Sequence, residues 1–179
     1  MALSKITNGG VAASGIPSGG IIQIQRTQLT TSSTVSVSAL TDTVLTGFTV
    51  NITPTSTSSI IKCEAMWVGE MDDNPNMLGH MFFFYRDTTK LANTNTSSNK
   101  LHGVAPATRT FYNEDTNSTL ETAYLSYFDS PSTTSQITYK LGIITQGADT
   151  ININRTEVDA DNNNHENGTS FICVTEIAG

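Results

Sequence analysis

The sequence contains little charge and no basic cluster. Only 14% of its 179 residues are charged, and 9 Lys and Arg against 16 Asp and Glu give a net charge of −7. The basic residues are scattered singly, so we expect no basic surface of the kind that neutralises a phosphate backbone. These features argue against nucleic acid as a partner.

Long apolar runs are also missing. No run approaches the roughly 20 residues that a membrane-spanning helix needs. The N-terminus has no apolar stretch of the length found in secretory signals. We therefore expect no membrane insertion and a chain that is made in the cytoplasm.

Cysteine is scarce, since the chain has only Cys63 and Cys173. Two cysteines are too few for a disulfide framework, and each lies in an apolar, strand-like run. We predict two buried thiols that face the core, because free Cys behaves as a small hydrophobic residue. The sequence leaves open whether they are bridged, which would require Cα atoms within about 7 Å of each other.

Familiar enzymatic motifs are absent. There is no Gly-x-Ser-x-Gly elbow and no glycine-rich phosphate-binding loop. His80, His102 and His165 are far apart and lack zinc-type spacing; we expect His80 at the end of a strand and the other two in solvated loops. Two carboxylates could still converge in space for glycoside cleavage, but nothing in the sequence points to a pair. We predict no enzyme activity and assign no catalytic, cofactor-binding or metal-binding residue.

Two acidic segments contain possible oxygen ligands for a cation. The second begins like a calcium-binding loop, but Asn164 stands where such a loop has Gly and Ser170 where it has Glu. We expect both segments to be solvated turns, and the sequence leaves cation binding open. The side chains in question are Glu70, Asp72, Asp73 and Asn74 in residues 70–79, and Asp159, Asp161 and Asn163 in residues 156–168.

The residues that are abundant favour β-structure. The chain holds 29 Thr, 18 Ser and 15 Asn, which favour strands or turns and are poor in helix interiors. No segment repeats apolar residues at helical spacing over three turns, whereas period-two alternation recurs. Eight strands are predicted, in residues 22–25, 48–52, 61–67, 81–85, 123–128, 137–143, 151–153 and 171–177, with a possible ninth in 104–112.

Long polar connections separate these short strands, which is typical of a sandwich or jelly roll rather than a hairpin meander. We therefore predict an all-β fold, an antiparallel β-sandwich of jelly-roll type with eight to nine strands. Residues 1–19 are rich in Gly and Ser and are predicted to be an extended leader. Residues 20–179 are predicted to be a single jelly-roll domain. If both faces of 81–85 and 171–177 are apolar, the surplus apolar surface would be buried between subunits.

Several short segments occur in an order that resembles a known family. Their combination, over residues 19–179, is similar to that of small virion structural proteins encoded by tailed phages, especially phages of marine bacteria and cyanobacteria. The two cysteines and the two acidic segments lie outside this shared pattern. The segments are Gly19–Gln25, Val50–Pro54, Ser58–Lys62, Phe128–Thr133, Ile137–Lys140, Ile153–Arg155 and Glu176–Ala178.

The resemblance implies a jelly-roll β-sandwich that assembles as a homotrimer on the virion and has no catalytic residues. The expected function is that of a tail-fibre or host-attachment appendage, or of a capsid decoration. Residues 1–19 would bind another virion protein, and a host surface glycan or protein is a further candidate partner. The alternative is a free carbohydrate-binding module, which usually displays aromatic side chains, whereas Trp67 is predicted to face inward.

Overall fold

The fold is all-β and antiparallel. The computed structural model describes residues 15–71, 79–92, 99–107 and 119–179, and in these ranges the chain forms ten strands. They are β1 (Ile21–Leu29), β2 (Ser33–Val37), β3 (Thr43–Ile52), β4 (Ile60–Gly69), β5 (His80–Arg86), β6 (Thr89–Lys90), β7 (Glu121–Asp129), β8 (Ile137–Thr145), β9 (Asp149–Ile153) and β10 (Ser170–Ile177).

The strands form two four-stranded sheets and a two-stranded one. The first sheet has the order β1-β10-β4-β7, the second has the order β3-β8-β5-β6, and β2 pairs with β9. One apolar core joins the two larger sheets, and the rings of Trp67 on β4 and Phe82 on β5 approach to 5.3 Å between centroids. This packing has the character of a β-sandwich. In the described part of the chain, no helix has the length and apolar character needed to cross a membrane.

The strand pairs are nested along the chain. The first strand pairs with the last, the second with the ninth and the third with the eighth. The fourth pairs with the seventh and the fifth with the sixth. The described part of the chain therefore has the connectivity of one long antiparallel hairpin. Its tip is the β5–β6 turn, and its successive strand pairs belong to different sheets.

Alternation along β4 explains which of its side chains enter the core. Ile61, Cys63, Ala65 and Trp67 are fully buried, while the polar and apolar residues between them are partly exposed. Trp67 thus faces inward, as predicted. Its indole N–H donates a hydrogen bond of 3.1 Å to the carbonyl oxygen of Asn152.

The apolar run on β5 is covered on both faces, as predicted. Phe82 and Phe84 belong to the core, and Phe83, on the opposite face, is also fully buried. The Phe83 ring lies against Gly142, where a Cβ atom would come within 2.6 Å of it. The ammonium group of Lys90 lies 4.1 Å from the ring centroid, a cation–π distance.

All eight predicted strands coincide with strands of the structure, but the predicted total of eight to nine is lower than the ten observed. β2 could not be predicted because Val35 and Val37 are its only apolar residues. β6 could not be predicted because it has only two residues. In the possible ninth strand, Ala105 forms an isolated bridge with Phe82. Residues 108–112 lie outside the described part of the chain.

The end of the predicted leader contacts the other end of the chain. Gly19 N–H donates a 2.7 Å hydrogen bond to the Ala178 carbonyl, and Ala178 N–H donates one of 2.9 Å to the Gly20 carbonyl. Gly19 has a φ of 84°, a conformation that favours glycine. Residues 15–20 are therefore attached to the sandwich beside the end of β10, and residues 1–14 lie outside the described part.

Candidate interaction surface on the first sheet

The first sheet has apolar side chains on the face that points away from the core, which we name the outer face. Alternate residues of four strands form it, because successive side chains of a strand point to opposite sides. It comprises Ile24, Arg26 and Gln28 on β1, Phe171, Cys173, Thr175 and Ile177 on β10, Ile60, Lys62, Glu64, Met66 and Val68 on β4, and Thr122, Tyr124, Ser126 and Phe128 on β7.

Three large apolar side chains of the outer face are mostly exposed. Their exposed fractions are 54% for Ile24, 55% for Tyr124 and 59% for Phe128, and the adjacent Ile21 is 60% exposed. Apolar residues from the central strands, such as Phe171, lie between them and are half-buried. Exposed apolar side chains gathered on one face of a sheet commonly mark a contact with another molecule, so the outer face is the candidate functional site.

The strand register arranges the outer face in rows that run across the sheet. A polar row with Arg26 at one end lies between two rows that carry the large apolar side chains. We name the rows by their β1 residue. The Ile24 row is Ile24, Thr175, Lys62 and Phe128; the Arg26 row is Arg26, Cys173, Glu64 and Ser126; the Gln28 row is Gln28, Phe171, Met66 and Tyr124.

Glu64 organises the charges of the outer face. Its carboxylate lies 2.8 Å from Lys62 Nζ and accepts a hydrogen bond of 2.5 Å from the Tyr124 hydroxyl. Partial burial alone would raise the pKa of Glu64, but these two hydrogen bonds outweigh it and hold the pKa below its usual range. The hydrogen bond to Glu64 also raises the pKa of Tyr124. The Tyr124 ring is therefore held in one orientation on the surface.

Arg26 lies at the edge of the outer face and forms no ion pair within the described part of the chain. Together with Gln28, Phe171 and Cys173 it lines a shallow cleft of about 270 Å³. An exposed arginine beside apolar side chains is a common element of protein–protein contacts.

A partly buried charge cluster joins the two sheets behind the outer face. Arg86 on β5 donates hydrogen bonds from Nη1 to both carboxylate oxygens of Asp129 on β7, at 3.0 and 3.2 Å. The hydroxyl of Tyr139 on β8 donates a 2.7 Å hydrogen bond to the same carboxylate. Burial, followed by this hydrogen bond, raises the pKa of Tyr139 far above its usual value. Because both carboxylate oxygens of Asp129 accept hydrogen bonds from residues of the second sheet, we assign Asp129 a structural role.

A second buried carboxylate, Glu176, fixes the turn between β3 and β4. It accepts hydrogen bonds from Ser59 Oγ at 2.7 Å, from Gln23 Nε2 at 2.7 Å, and from the N–H and hydroxyl of Thr55 at 2.6 and 2.7 Å. Burial alone would raise the pKa of Glu176, but the hydrogen bonds from these donors together have the larger effect and lower it. This role of Glu176 could not be predicted from local sequence patterns, because its hydrogen-bond donors lie up to 153 positions away.

The two acidic segments differ from each other in the structure. Glu70 is buried rather than solvated, and its carboxylate accepts hydrogen bonds from the main-chain N–H groups of Thr119 and Glu157. The prediction of a solvated turn is wrong for Glu70, because the end of β4 passes beneath these two loops. Asp72, Asp73 and Asn74 lie outside the described residues.

The second acidic segment is exposed, as predicted. Asp159, Asp161 and Asn163 are all exposed, and Asp159 forms an ion pair of 3.3 Å with Arg155. Within the ranges that the structure describes, no three or more His, Cys, Asp or Glu side chains are arranged to hold a metal ion.

The histidines lie apart. His80 begins β5, as predicted, and its Nε2 accepts a 2.9 Å hydrogen bond from the Ala107 N–H. His102 and His165 are half-buried rather than fully solvated as predicted, because their loops fold back onto the sandwich.

The cysteines lie on opposite faces of adjacent strands. Cys63 is buried in the core as predicted, whereas Cys173 lies half-buried on the outer face. The prediction that Cys173 faces the core is wrong, because β10 is apolar on both faces and alternation could not identify its inner side. Both thiols are free, and burial raises the pKa of each of them.

Only a weak signal for the outer face is present in the sequence. In residues 123–128 both alternating sets contain apolar side chains, and the inward set proves to be Ala123 and Leu125 rather than Tyr124 and Phe128. Three comparisons of this chain, with protein-family models, with curated proteins and with solved structures, find no match.

Proposed function

We propose that this chain is a non-enzymatic phage virion structural protein. It forms a jelly-roll knob that is mounted on the particle as a tail-fibre or host-attachment appendage, or as a capsid decoration. The observation that carries this proposal is the nested strand order of the sandwich.

Nested pairing supports the jelly-roll part of the proposal. A jelly roll arises when a long antiparallel hairpin is rolled into two facing sheets, and it recurs in viral capsid and lectin domains. With β2 and β9 set aside, the two remaining sheets contain eight strands in four nested pairs. Two interlocked Greek keys likewise have eight strands in nested pairs, which supports the proposed jelly-roll topology.

The chemistry of the surface is consistent with a particle component. The chain is acidic and has few charges, while its many Thr, Ser and Asn side chains present neutral polar groups. Such a surface avoids nonspecific electrostatic adhesion to nucleic acid. The outer face differs from this polar surface because it exposes large apolar side chains. We propose that the knob assembles as a homotrimer that covers apolar surface of this kind.

The proposed anchor is the leader, residues 1–19. Gly19, its last residue, is hydrogen-bonded to Ala178 at one end of the sandwich, and we propose that the leader extends from that end. A short extended peptide can dock into another virion protein by strand addition or groove binding. Deleting residues 1–18 should leave a folded domain that no longer enters particles.

A second candidate function is a free carbohydrate-binding module. The exposed rings of Tyr124 and Phe128, on one side of a single strand, favour it because sugars stack on aromatic rings. Trp67 cannot contribute to such a platform, because it is fully buried.

Locating the protein in purified particles tests the leading proposal. Peptide mass spectrometry of gradient-purified virions, with antibody-gold labelling, should detect the chain as a stoichiometric component at the tail or the capsid. Recovery only in the soluble fraction, with retention on polysaccharide, would instead identify the carbohydrate-binding module.

A further inference from the structure

We infer that the outer face binds an acidic polysaccharide, one whose sugar rings carry carboxylate groups. Arg26 binds a carboxylate of this ligand, and exposed aromatic rings of the outer face pack against its sugar rings. This binding role rests on the host-attachment form of the proposed function, and it adds the class of ligand and the residues that recognise it. It requires that the homotrimer leave the outer face open and cover other exposed apolar side chains, such as Leu40 and Val44.

The aromatic side chains of the outer face suit the apolar faces of sugar rings. The Phe128 and Tyr124 side chains are 59% and 55% exposed, and they lie on one side of β7, about 13 Å apart along the strand. The Tyr124 ring is held in place by its hydrogen bond to Glu64, and Phe171 borders the cleft beside Arg26. A ring that is exposed and already oriented loses little conformational entropy when a ligand packs on it.

Hydrogen-bonding groups for sugar hydroxyls lie in the row between the two exposed rings. Glu64 and Ser126 are neighbours in that row. Both Lys62 and Tyr124 bond to Oε1 of Glu64, whereas its Oε2 accepts no hydrogen bond from the described part of the chain. Because a carboxylate has about four acceptor positions, Glu64 can accept further hydrogen bonds from the hydroxyl groups of a sugar.

Arg26 provides recognition of a carboxylate. Its side chain is exposed and forms no ion pair with the described residues, and it lines the cleft of about 270 Å³ together with Gln28 and Phe171. A guanidinium group matches the planar geometry of a carboxylate and can donate two parallel hydrogen bonds to it. Small-molecule sites usually measure about 300–1,000 Å³, so a cleft at the lower end of this range suits one sugar unit, and the rest of the polymer extends over the outer face.

The distribution of charge directs an acidic polysaccharide to the outer face. The whole chain carries a net charge of −7, which repels a polyanion from most of the surface. The outer face carries Arg26 and Lys62 against a single carboxylate, that of Glu64. Since Lys62 pairs with Glu64, Arg26 remains as a positive charge that is open to an anionic ligand.

The centre of the outer face favours a polysaccharide over a protein as the occupant. The cores of protein–protein interfaces are depleted of charged residues. Here Lys62 and Glu64 lie on β4, one of the two central strands of the sheet, and their ion pair lies in the middle of the face. A protein partner would have to remove this pair from water, whereas the hydroxyl groups of a sugar can hydrogen-bond to it directly.

The first experiment compares polymers with and without their charges. Affinity electrophoresis and titration calorimetry of the full chain should show binding to fragments of polygalacturonate or of alginate. Binding to the methyl-esterified form of the same fragments should be weaker by roughly tenfold or more, because the bond between Arg26 and the carboxylate is lost. Equal binding of the charged and esterified forms, or no binding of either charged polymer, would overturn the inference.

The second experiment assigns the carboxylate contact to Arg26. Arg26→Gln should weaken binding of the charged polymer by roughly tenfold or more and leave binding of the esterified polymer unchanged. Lys140→Gln is the matched control, because it removes the same charge from the second sheet, and this variant should bind both forms as the wild type does. Equal weakening of both forms by Arg26→Gln would contradict the recognition of a carboxylate by Arg26.

The third experiment tests the aromatic contact. Phe128→Ala should weaken binding of the charged polymer by roughly threefold to tenfold, with an unchanged urea midpoint because the side chain is exposed. Val158→Ala is the control, since Val158 is 42% exposed but lies outside the outer face, and it should bind normally. An unchanged affinity of Phe128→Ala would contradict the aromatic contact, and a changed oligomeric state would identify the outer face as a subunit contact instead.

Failure of this inference and failure of the proposed function have different signatures. A chain that is a stoichiometric component of particles but binds neither charged polymer overturns the inference and leaves the virion role intact. A chain that is absent from particles but binds the charged polymer through Arg26 overturns the virion role, and it supports the ligand site as part of a free carbohydrate-binding module.

Discussion

The hydroxyl of Tyr139 donates a hydrogen bond of 2.7 Å to the carboxylate of Asp129, and this bond joins the second sheet to the first. Arg86, on the adjacent strand β5 of the second sheet, forms an ion pair with the same carboxylate. The two sheets are therefore fixed to each other by a directed polar interaction in addition to apolar packing.

Tyr139→Phe should lower the free energy of unfolding by about 1.5–3 kcal/mol, because it removes a hydrogen bond to a charged group in the interior. Urea unfolding at fixed protein concentration measures this change. Tyr124→Phe is the control, since its hydroxyl bonds to Glu64 at the surface, and its effect should stay within about 0.5 kcal/mol. Equal effects of the two variants would show that the Asp129 cluster does not stabilise the sandwich.

Glu176→Gln should destabilise the protein by about 1–3 kcal/mol at pH 7, because an amide cannot accept all the hydrogen bonds that the carboxylate receives. The native pKa of Glu176 lies below its ordinary value of 4.5. Its charged form therefore contributes stability above that value, and the contribution is lost as the pH falls through the native pKa.

Urea unfolding at several pH values between 7 and 3 tests this pH dependence. The stability difference between wild type and Glu176→Gln should be largest at neutral pH and should shrink below about pH 4.5. Glu166→Gln, at an exposed position, serves as the control. A difference that is independent of pH would contradict the proposed role of the carboxylate.

Gly69→Ala should be severely destabilising, by about 3 kcal/mol or more. A Cβ atom at Gly69 would lie 1.9 Å from the Asn152 carbonyl oxygen, which is main chain and cannot rotate away. Gly79→Ala is the matched control, because its nearest contact is a side-chain atom of Gln146 at 3.2 Å. Thermal unfolding should show a large loss for the first variant only; similar losses would contradict the close approach of β4 and β9.

The two thiols should differ in their reactivity. In the native protein, a maleimide should modify Cys173, which is half-buried at the surface, and leave Cys63 unmodified until the protein unfolds, since Cys63 is fully buried. Intact-mass measurement counts the adducts, and Cys173→Ala should abolish the native-state adduct. Rapid addition of two maleimides per chain would contradict the burial of Cys63.

Alternation predicted the fold best where one face of a strand is polar. On β4, Lys62 and Glu64 separate the buried residues, so both the strand and its inward side could be predicted. On β10 both faces are apolar, and the side on which Cys173 lies could not be predicted. β2 has only two apolar residues, both Val, and follows a run of Thr and Ser, so it gave no usable pattern.

The candidate site was harder to predict than the fold. The outer face depends on register, since it brings Ile24, Glu64 and Phe128 together from three strands that lie far apart in sequence. Composition and local spacing contain no information on which strands become neighbours. The same limit applies to Glu176, whose hydrogen-bond donors come from the opposite half of the chain.

Nested pairing has a consequence for how the protein acquires its structure during synthesis. β10 is the last of the described strands to leave the ribosome, yet it lies between β1 and β4 in the first sheet. Until residues 170–177 emerge, β1 has no neighbour in that sheet, and unpaired strand edges promote aggregation. We therefore expect folding to begin at the β5–β6 turn, where contacts are local, and to be completed only after β10 has emerged.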